Sequence, residues 1–273
     1  MHILAKDDEY NDLLTSIKAV YGYDFTNYAL PSIKRRIAHY SRQNKITDLK
    51  ALKSSLLSDA SIFEDFVQSL SVTVTALFRD PAFYSSLREK VLNRLGTYPV
   101  LKIWVAGCAT GEEVYSVAIL LHEAGLLQRS LIYATDINNK SLSTAKEGIY
   151  NIANMQAYTI NYQNAGGQKS LSEYYTAHYN AVLFNRLLKK NIVFAHHNLA
   201  VDRFFNEFQL IICRNVLIYF NQHLQNKVFH LFYDSLCTFG FLGLGNKESL
   251  LFSDKKPCFE ETDKKEKIFK KIM

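Results

Sequence analysis

"VLKIWVAGCATGEEVYSVAILLHEAGL" (residues 100–126) is the stretch that decides the fold of this chain. Its first part is a short apolar run ending at Ala106, which is typical of a buried parallel strand. A turn of small residues follows from Gly107 to Gly111. After the turn, apolar residues recur at helical spacing and stop near Gly125, which predicts an amphipathic helix. Strand, turn and helix together indicate the first unit of an open α/β sheet.

The same alternation continues toward the C-terminus. Strands are predicted in "SLIYATDI" (130–137), "NIVFAHHNL" (191–199) and "FQLIICRN" (208–215), with helices in "NKSLSTAKEGIY" (139–150) and "NQHLQNKVFHLFYDSL" (221–236). This order predicts a parallel sheet covered by helices on both faces.

Two further segments depart from the alternation. "YYTAHYNAVLF" (174–184) alternates like an exposed hairpin, which predicts a small inserted β subdomain at about residues 160–190. "FGFLGLG" (239–245) and "KIFKKIM" (267–273) are predicted to add antiparallel strands at the edge of the sheet.

The chain before residue 100 is predicted to be helical. Apolar residues recur at helical spacing in several segments, and none of them resembles a parallel strand. Asp80 and Pro81 are predicted to begin a helix that ends at Gly96. We therefore expect a helical N-terminal domain (1–75), a linking helix (76–99) and an α/β domain (100–273).

Composition limits the class of protein. Hydrophobic residues make up 48% and charged residues 21%, as in soluble globular proteins. The sequence has no apolar run of about 20 residues and no signal peptide at its start. Its four cysteines lack zinc-site spacing, so we expect free thiols, no metal and a cytoplasmic location.

The turn at 107–111 has an unusual chemistry for a glycine loop. Its spacing is not that of a dinucleotide or P-loop motif, and the glutamates at 112 and 113 oppose an anionic ligand. Carboxylates suit an ammonium, a sulfonium or hydroxyl groups. Asp136 ends the next strand, where an acid binds ribose hydroxyls in doubly wound folds. The pattern favours S-adenosylmethionine, although a tight structural turn with surface glutamates would show the same small residues.

Five segments stand out in order along the chain: "SVTVTALFRD" (71–80), "WVAGCATGEEVYSVA" (104–118), "ATDINNKSLSTAKEGIY" (134–150), "HHNL" (196–199) and "ICRNVLIYFN" (212–221). Together they resemble the CheR family of chemoreceptor glutamate methyltransferases. The resemblance covers essentially the whole chain. It implies a Rossmann-like α/β methyltransferase domain behind an all-helical N-terminal domain, with S-adenosylmethionine as cofactor.

The resemblance also implies roles for single residues. Arg79 would meet the carboxylate of the cofactor, Glu113 its ammonium group and Asp136 its ribose, while Glu112 is a weaker candidate than its neighbour. The other contacts to the cofactor would come from Thr73, Thr75, Gly107, Asn198, Leu199, Arg214 and Asn215. Of these residues, Asn198 and Leu199 would flank the adenine.

Substrate positioning is assigned to a second group. Tyr219 would orient the substrate carboxylate, and with Arg79 it is the candidate catalytic pair, for positioning and not for proton transfer. Arg35 and Arg36 lie in a basic stretch (31–53) and would face the glutamate-rich cytoplasmic helices of a chemoreceptor. The resemblance predicts a protein-glutamate O-methyltransferase that acts as a monomer, with no nucleic-acid partner and no membrane insertion.

Structural explanations remain open for the same residues. Arg79 could pair with Asp80 at a helix start, Asn198 could cap a turn, Tyr219 could be a packed aromatic, and the basic stretch could be a solvated helix face.

The chain also departs from the family pattern. Thr73 stands where asparagine is frequent, "CTFGFLGLGNKESL" (237–250) replaces the usual C-terminal motifs and lacks their histidine, and the hairpin lacks the glycine-rich turn of tail-tethered members. Three alternatives therefore remain: a methyltransferase with another acceptor, a cofactor-binding scaffold with little turnover, and RNA binding through the basic stretch.

Overall fold

The computed structural model describes residues 6–71, 74–203 and 205–273. Helices dominate the N-terminal part, and strands alternate with helices from residue 101 onward. The helices are α1 (Asp7–Tyr21), α2 (Leu30–Gln43), α3 (Leu49–Ser58), α4 (Ala60–Leu70), α5 (Pro81–Ser86), α6 (Leu92–Leu95), α7 (Glu112–Glu123), α8 (Asn139–Glu147), α9 (Met155–Asn164), α10 (Arg186–Lys189) and α11 (Gln222–Ser235).

Ten strands form two sheets among the described residues. The strands are β1 (Leu101–Ala106), β2 (Ser130–Asp136), β3 (Ile149–Asn151), β4 (Tyr175–His178), β5 (Ala181–Phe184), β6 (Ile192–His196), β7 (Phe208–Cys213), β8 (Leu236–Leu244), β9 (Phe259–Asp263) and β10 (Ile268–Lys271). The large sheet has the order β6-β2-β1-β7-β8-β10-β9. The predicted fold class, a Rossmann-like α/β domain behind a helical domain, is confirmed.

The parallel core of the large sheet positions the functional loops. β1 lies at its centre and pairs in parallel with β2 and β7, while β6 pairs with β2. β1 is buried along almost its whole length because helices cover both faces, which explains its continuous apolar sequence. Since these strands are parallel, their carboxyl ends meet at one edge of the domain.

The C-terminal strands confirm one prediction and correct another. β10 is antiparallel to both β8 and β9, as predicted for "KIFKKIM", although it lies inside the sheet and not at its edge. β8, which contains most of "FGFLGLG", pairs in parallel with β7, so the antiparallel prediction for it was wrong. The reason is that α11 forms a crossover between β7 and β8, and such a connection returns the chain in the same direction. The edge strand β9 was not predicted.

The predicted hairpin is part of a slightly larger sheet. β4 and β5 pair antiparallel around Tyr179, whose φ is 51°, and β5 also pairs with β3. β3 comes from the end of the "AKEGIY" segment, far earlier in the chain. The hairpin itself was visible in the sequence because it is local, whereas its third strand is supplied by a long-range contact.

The helical domain packs on the α/β domain through a short stretch of paired backbone. α1 to α4 enclose their own core, with Leu13, Ile17 and Leu52 among its buried residues. Ala29 N–H donates to the carbonyl oxygen of Tyr219 at 2.8 Å, and Asn221 N–H donates to that of Asn27 at 2.9 Å. This pairing brings the start of α2 to the loop that follows β7.

The linking segment runs as one helical stretch from α5 through a π-helical turn (Leu87–Val91) to α6. Pro81 is the first helical residue, as predicted, but Asp80 does not cap the helix. Asp80 has a φ of 56°, and its carboxylate pairs with Arg214 at 2.7 Å. A long-range ion pair has therefore replaced the predicted local cap.

Candidate functional site

A deep cavity lies at the carboxyl ends of β1, β2, β6 and β7, beneath the helical domain. Its volume is about 1310 Å³ when the open space at its mouth is included. The helical domain contributes Phe25 and Tyr28 from the connection before α2, Ile33 from α2, and Val67 and Leu70 from α4 to its wall. The predicted site residues that line the cavity are Arg36, Thr75, Arg79, Gly107, Glu113, Asp136, Asn198, Leu199, Arg214, Asn215 and Tyr219.

Two predicted residues remain, Thr73 and Arg35. Thr73 lies outside the described residues. Arg35 is exposed and does not line the cavity, whereas its neighbour Arg36 does. Arg36 follows Ile33 and Ser32 at spacings of three and four residues, on the helix face that lines the cavity, whereas Arg35 is turned about 100° from Arg36.

The glycine turn places the backbone close to the cavity. Gly107 has a φ of 73°, and a Cβ atom at this position would lie 2.4 Å from Cγ2 of Val216. The N–H groups of Gly107 and Cys108 both donate to the carbonyl oxygen of Thr135, which ties the turn to β2. Only glycine satisfies both the backbone conformation and the close contact at position 107.

Asp136 joins the turn to the end of β2. Its Oδ2 accepts from Ala109 N–H at 2.8 Å and its Oδ1 from Asn138 N–H at 2.9 Å. Burial raises the pKa of the Asp136 carboxyl, although these backbone donors oppose the shift. Each carboxylate oxygen keeps further acceptor capacity, so the side chain can receive ligand hydroxyl groups as well.

The two glutamates after the turn have different surroundings. Glu113 lines the cavity, and its Oε1 accepts from Arg214 at 2.9 Å and from the Tyr84 hydroxyl at 3.2 Å. Glu112 accepts instead from Thr110 and Tyr158, outside the cavity wall, and burial raises its pKa. The preference for Glu113 at the sequence level agrees with this placement.

Arg214 is a buried cation whose charge is already compensated. Its Nη1 donates to Glu113 and to the carbonyl oxygen of Arg79, and its Nη2 donates to Asp80. The guanidinium also lies 4.2 Å from the centre of the Phe83 ring. Burial alone would lower the pKa of Arg214, but Glu113 raises it above its usual value. Among the described residues, its Nε has no hydrogen-bond partner.

Two other arginines of the cavity form no ion pair within the described part of the chain. The Arg79 guanidinium donates to the carbonyl oxygen of Val74 at 3.1 Å, its one hydrogen bond among the described residues, and it does not pair with Asp80. Arg36 lies over the Tyr219 ring, 5.2 Å from its centre, and burial lowers its pKa. Partly buried cations without anionic partners are suited to bind carboxylates of ligands.

The loop after β6 supplies the opposite wall. Asn198 closes a turn, because its N–H donates to Asp202 and its Oδ1 accepts from Ala200 N–H. The same residue lines the cavity, so the capping role and the predicted contact do not exclude each other. His197 also lines the cavity, and no role was assigned to it from the sequence. The motif "HHNL" (196–199) was the sequence signal that could have identified His197 as a residue of the site.

His197 has a buried ring nitrogen with no partner. Its Nε2 lies 3.4 Å from the carbonyl oxygen of Arg203, and its Nδ1 has no hydrogen-bond partner among the described residues. Burial lowers the pKa of His197. The ring packs against Trp104, whose indole N–H donates to Thr135 at 2.8 Å.

Glu248 is a second residue that the sequence did not assign. It does not line the cavity, but its carboxylate accepts four backbone N–H groups from the segments at 215–217 and 245. Glu248 lies in the 237–250 segment that departs from the family pattern, and its contacts with 215–217 span more than 30 residues of chain.

The described residues contain no helix long and apolar enough to cross a membrane and no cluster of three or more metal-ligating side chains. The cysteines at 108, 213, 237 and 258 are free thiols.

The cavity fits a nucleoside with a charged tail. An acid stands at the end of β2, the turn of small residues admits a close ligand, and Glu113 keeps one oxygen outside its pairs with Arg214 and Tyr84. Two wall residues, His197 and Arg214, each carry a buried nitrogen that has no hydrogen-bond partner in the part of the chain that the structure describes. These features match S-adenosylmethionine, which carries hydroxyl, amine, ammonium and carboxylate groups.

Comparisons with known proteins agree with this chemistry. A family profile described as "CheR methyltransferase, SAM binding domain" matches residues 73–268, and "CheR methyltransferase, all-alpha domain" matches residues 8–71. A Pseudomonas putida protein named Cher3 is 48% identical over 97% of this chain and 97% of its own length. A chemotaxis protein methyltransferase of Listeria innocua is 30% identical over 86% of this chain and 87% of its own.

Proposed function

Because this chain belongs to the CheR family of S-adenosylmethionine-dependent methyltransferases, we propose that it methylates glutamate side chains of a chemotaxis receptor. The two arginines in the cavity without a carboxylate partner, Arg36 and Arg79, carry the proposal. One can bind the carboxylate of the cofactor and the other the carboxylate of the acceptor, so the cavity has a cation for each.

The cofactor end of the cavity is formed by the α/β domain. Asp136 would hold the ribose, Glu113 the ammonium group, and Arg79 the carboxylate, with Asn198 and Leu199 beside the adenine. Thr75, Gly107, Arg214 and Asn215 complete this wall. When bound, S-adenosylmethionine supplies a methyl group to a carboxylate oxygen and leaves as S-adenosylhomocysteine.

The acceptor end is formed by Arg36 and Tyr219, which come from different domains. A glutamate has an ordinary pKa of about 4.3 and is ionised at neutral pH, so its attack needs no general base. The task of these two residues is to orient the carboxylate, and orientation alone contributes up to about 7–11 kcal/mol in favourable cases. Arg36 would attract the charge, and the Tyr219 hydroxyl would fix one oxygen.

The helical domain has two functions in this proposal. It covers the cavity and so excludes water from the carboxylate, which strengthens electrostatic contacts in the site. It also presents the basic surface of α2 to an acidic partner. We propose that this partner is a glutamate-rich cytoplasmic helix of the receptor, that the enzyme acts in the cytoplasm, and that it acts as a monomer.

Methyl transfer to receptor-containing membranes tests the proposal. The purified protein is incubated with methyl-labelled S-adenosylmethionine and the membranes, and mild base then releases methyl esters as labelled methanol. We expect base-labile label with the natural chain and a large loss with Tyr219→Phe, while S-adenosylhomocysteine binds both proteins equally. Membranes without receptors are the control. A protein that binds the cofactor but yields no base-labile label would favour another acceptor or a scaffold.

A further inference from the structure

Glu248 is a buried carboxylate, with only 4% of its surface exposed, that belongs to none of the site residues described so far. Its Oε1 accepts from Val216 N–H at 2.9 Å and from Leu217 N–H at 2.8 Å. Its Oε2 accepts from Asn215 N–H at 3.1 Å and from Gly245 N–H at 2.6 Å. One side chain therefore satisfies four backbone donors from two separate loops.

The geometry of the loop after β7 explains why these donors converge. Asn215 has a φ of 62°, a left-handed conformation that is unusual for a residue other than glycine. Such a residue next to right-handed ones turns successive N–H groups toward one point and forms an anion-binding nest. The short 3-10 turn at Leu217–Tyr219 follows, and its first N–H group would otherwise lack a partner.

The loop held in this way carries cavity residues along its length. Arg214 begins it, Asn215 and Val216 line the cavity, and Tyr219 ends the 3-10 turn. Val216 is also the residue that restricts position 107 to glycine. A shift of this loop would therefore move the wall on the cofactor side and the tyrosine on the acceptor side together.

We propose that Glu248 is a positioning residue of this methyltransferase, which fixes the 214–219 loop by filling its backbone nest with an internal anion. Glu248 acts through the loop and does not touch a ligand. The inference depends on the cofactor site and is independent of which acceptor the enzyme uses. It also assigns a role to a residue of the 237–250 segment that departs from the family pattern: the family histidine is absent there, but Glu248 holds the loop.

The energetic cost of this arrangement supports a specific role. Burial raises the pKa of Glu248, although all four backbone donors oppose the shift. A buried carboxylate is costly unless it is fully hydrogen-bonded, and apolar residues usually fill such positions. The donors need a carboxylate because an amide side chain would point its own N–H₂ group at two of them.

Three variants test the inference. Glu248→Gln keeps the size of the side chain but cannot accept from all four donors, Glu248→Asp keeps the charge with a shorter reach, and Lys247→Gln changes the exposed neighbour as a matched control. Calorimetry gives the Kd for S-adenosylhomocysteine, and hydrogen–deuterium exchange gives the protection of the amides at 215–217 and 245.

We expect Glu248→Gln to raise the Kd about tenfold, as substitutions of supporting residues commonly do. Exchange should become faster at these amides while the strands β1 and β2 keep their protection. Glu248→Asp should show a smaller effect of the same kind, and Lys247→Gln should show none. Unchanged binding and protection in Glu248→Gln would overturn the inference. A loss of protection throughout the sheet in both Glu248 variants would also overturn it, since Glu248 would then support the fold and not the loop.

Discussion

The guanidinium of Arg36 lies 5.2 Å from the centre of the Tyr219 ring, and the two residues come from different domains. The backbone contact between Ala29 and Tyr219 holds α2 at this place, so the pair is a product of domain packing. Arg36 has no carboxylate partner among the described residues, and its side chain is partly buried. The proposed acceptor end of the cavity is therefore assembled only when both domains are present.

Replacing Arg36 by glutamine should lower receptor methylation by at least about tenfold, because a hydrogen bond to a charged group contributes about 1.5–3 kcal/mol. The effect should appear mainly in the KM for the receptor, and the Kd for S-adenosylhomocysteine should stay unchanged. Arg35→Gln is the matched control, since Arg35 is exposed on the same helix. Equal losses in the two variants would contradict the assignment of Arg36 to the cavity.

Replacing Glu113 by alanine should lower the free energy of unfolding by about 3 kcal/mol, because it leaves the buried Arg214 with one carboxylate fewer. Urea denaturation measures this loss. Glu112→Ala is the comparison, since Glu112 is also buried but accepts only from hydroxyl groups, and it should cost about 1 kcal/mol. Equal losses of unfolding free energy in the two variants would indicate that the ion pair between Glu113 and Arg214 contributes no more to stability than the hydroxyl contacts of Glu112.

Replacing Gly107 by alanine should cost about 2–3 kcal/mol of stability and abolish measurable S-adenosylhomocysteine binding, because the added methyl group would overlap Val216. Gly22 has a similar φ of 75°, with no atom within 4 Å of the added group. Gly22→Ala should therefore cost only the backbone strain, about 1 kcal/mol, and leave binding unchanged. Thermal unfolding measures the loss of stability in the two glycine variants, and calorimetry measures their binding of S-adenosylhomocysteine. Normal binding by Gly107→Ala would contradict the requirement for a close backbone approach at position 107.

Replacing Asp136 by alanine should abolish S-adenosylhomocysteine binding in calorimetry, because the variant loses both the predicted ribose contact and the anchor of Ala109. Asp234 is exposed on α11, far along the chain from the turn, and Asp234→Ala serves as a control that should bind normally. Retained binding in Asp136→Ala would remove Asp136 from the cofactor site.

His197 should make the protein less stable in mild acid. Burial lowers its pKa in the folded state, so the unfolded chain takes up a proton first as the pH falls. The contribution of neutral His197 to stability is fully present above the pKa of the unfolded chain, about 6.5. It is lost as the pH falls from that pKa to the lower pKa of the folded protein. The drop in Tm between pH 7.5 and pH 5.5 should be smaller in His197→Gln than in the natural chain. An equal drop in both proteins would mean that another group is responsible.

Local patterns in the sequence predicted the elements that build the site. The apolar run to Ala106, the glycine turn and Asp136 follow rules of strand and turn formation, so the α/β order and the place of the cofactor loop could be read directly. The resemblance to a known family added the roles of Arg79 and Tyr219, which no local pattern indicates. These roles stay predictions until the variants above are measured.

Long-range contacts account for the differences between the sequence-based predictions and the structure. Asp80 was expected to cap a helix but pairs with Arg214, which lies 134 residues later in the chain. The role of Glu248 depends on a loop more than 30 residues away, and the orientation of β8 depends on the crossover made by α11. In each case the side chain or strand has a partner that is distant in sequence, and tertiary packing outweighs the local preference.

The chain contains one tryptophan, Trp104, and it packs against His197 in the cavity wall. All indole emission from this protein therefore arises at a single buried position in contact with a residue of the cavity wall. A ligand that displaces the His197 ring should change the surroundings of this one emitter and therefore its intensity. The protein thus carries a built-in optical reporter, and a titration can follow cofactor occupancy without any attached dye.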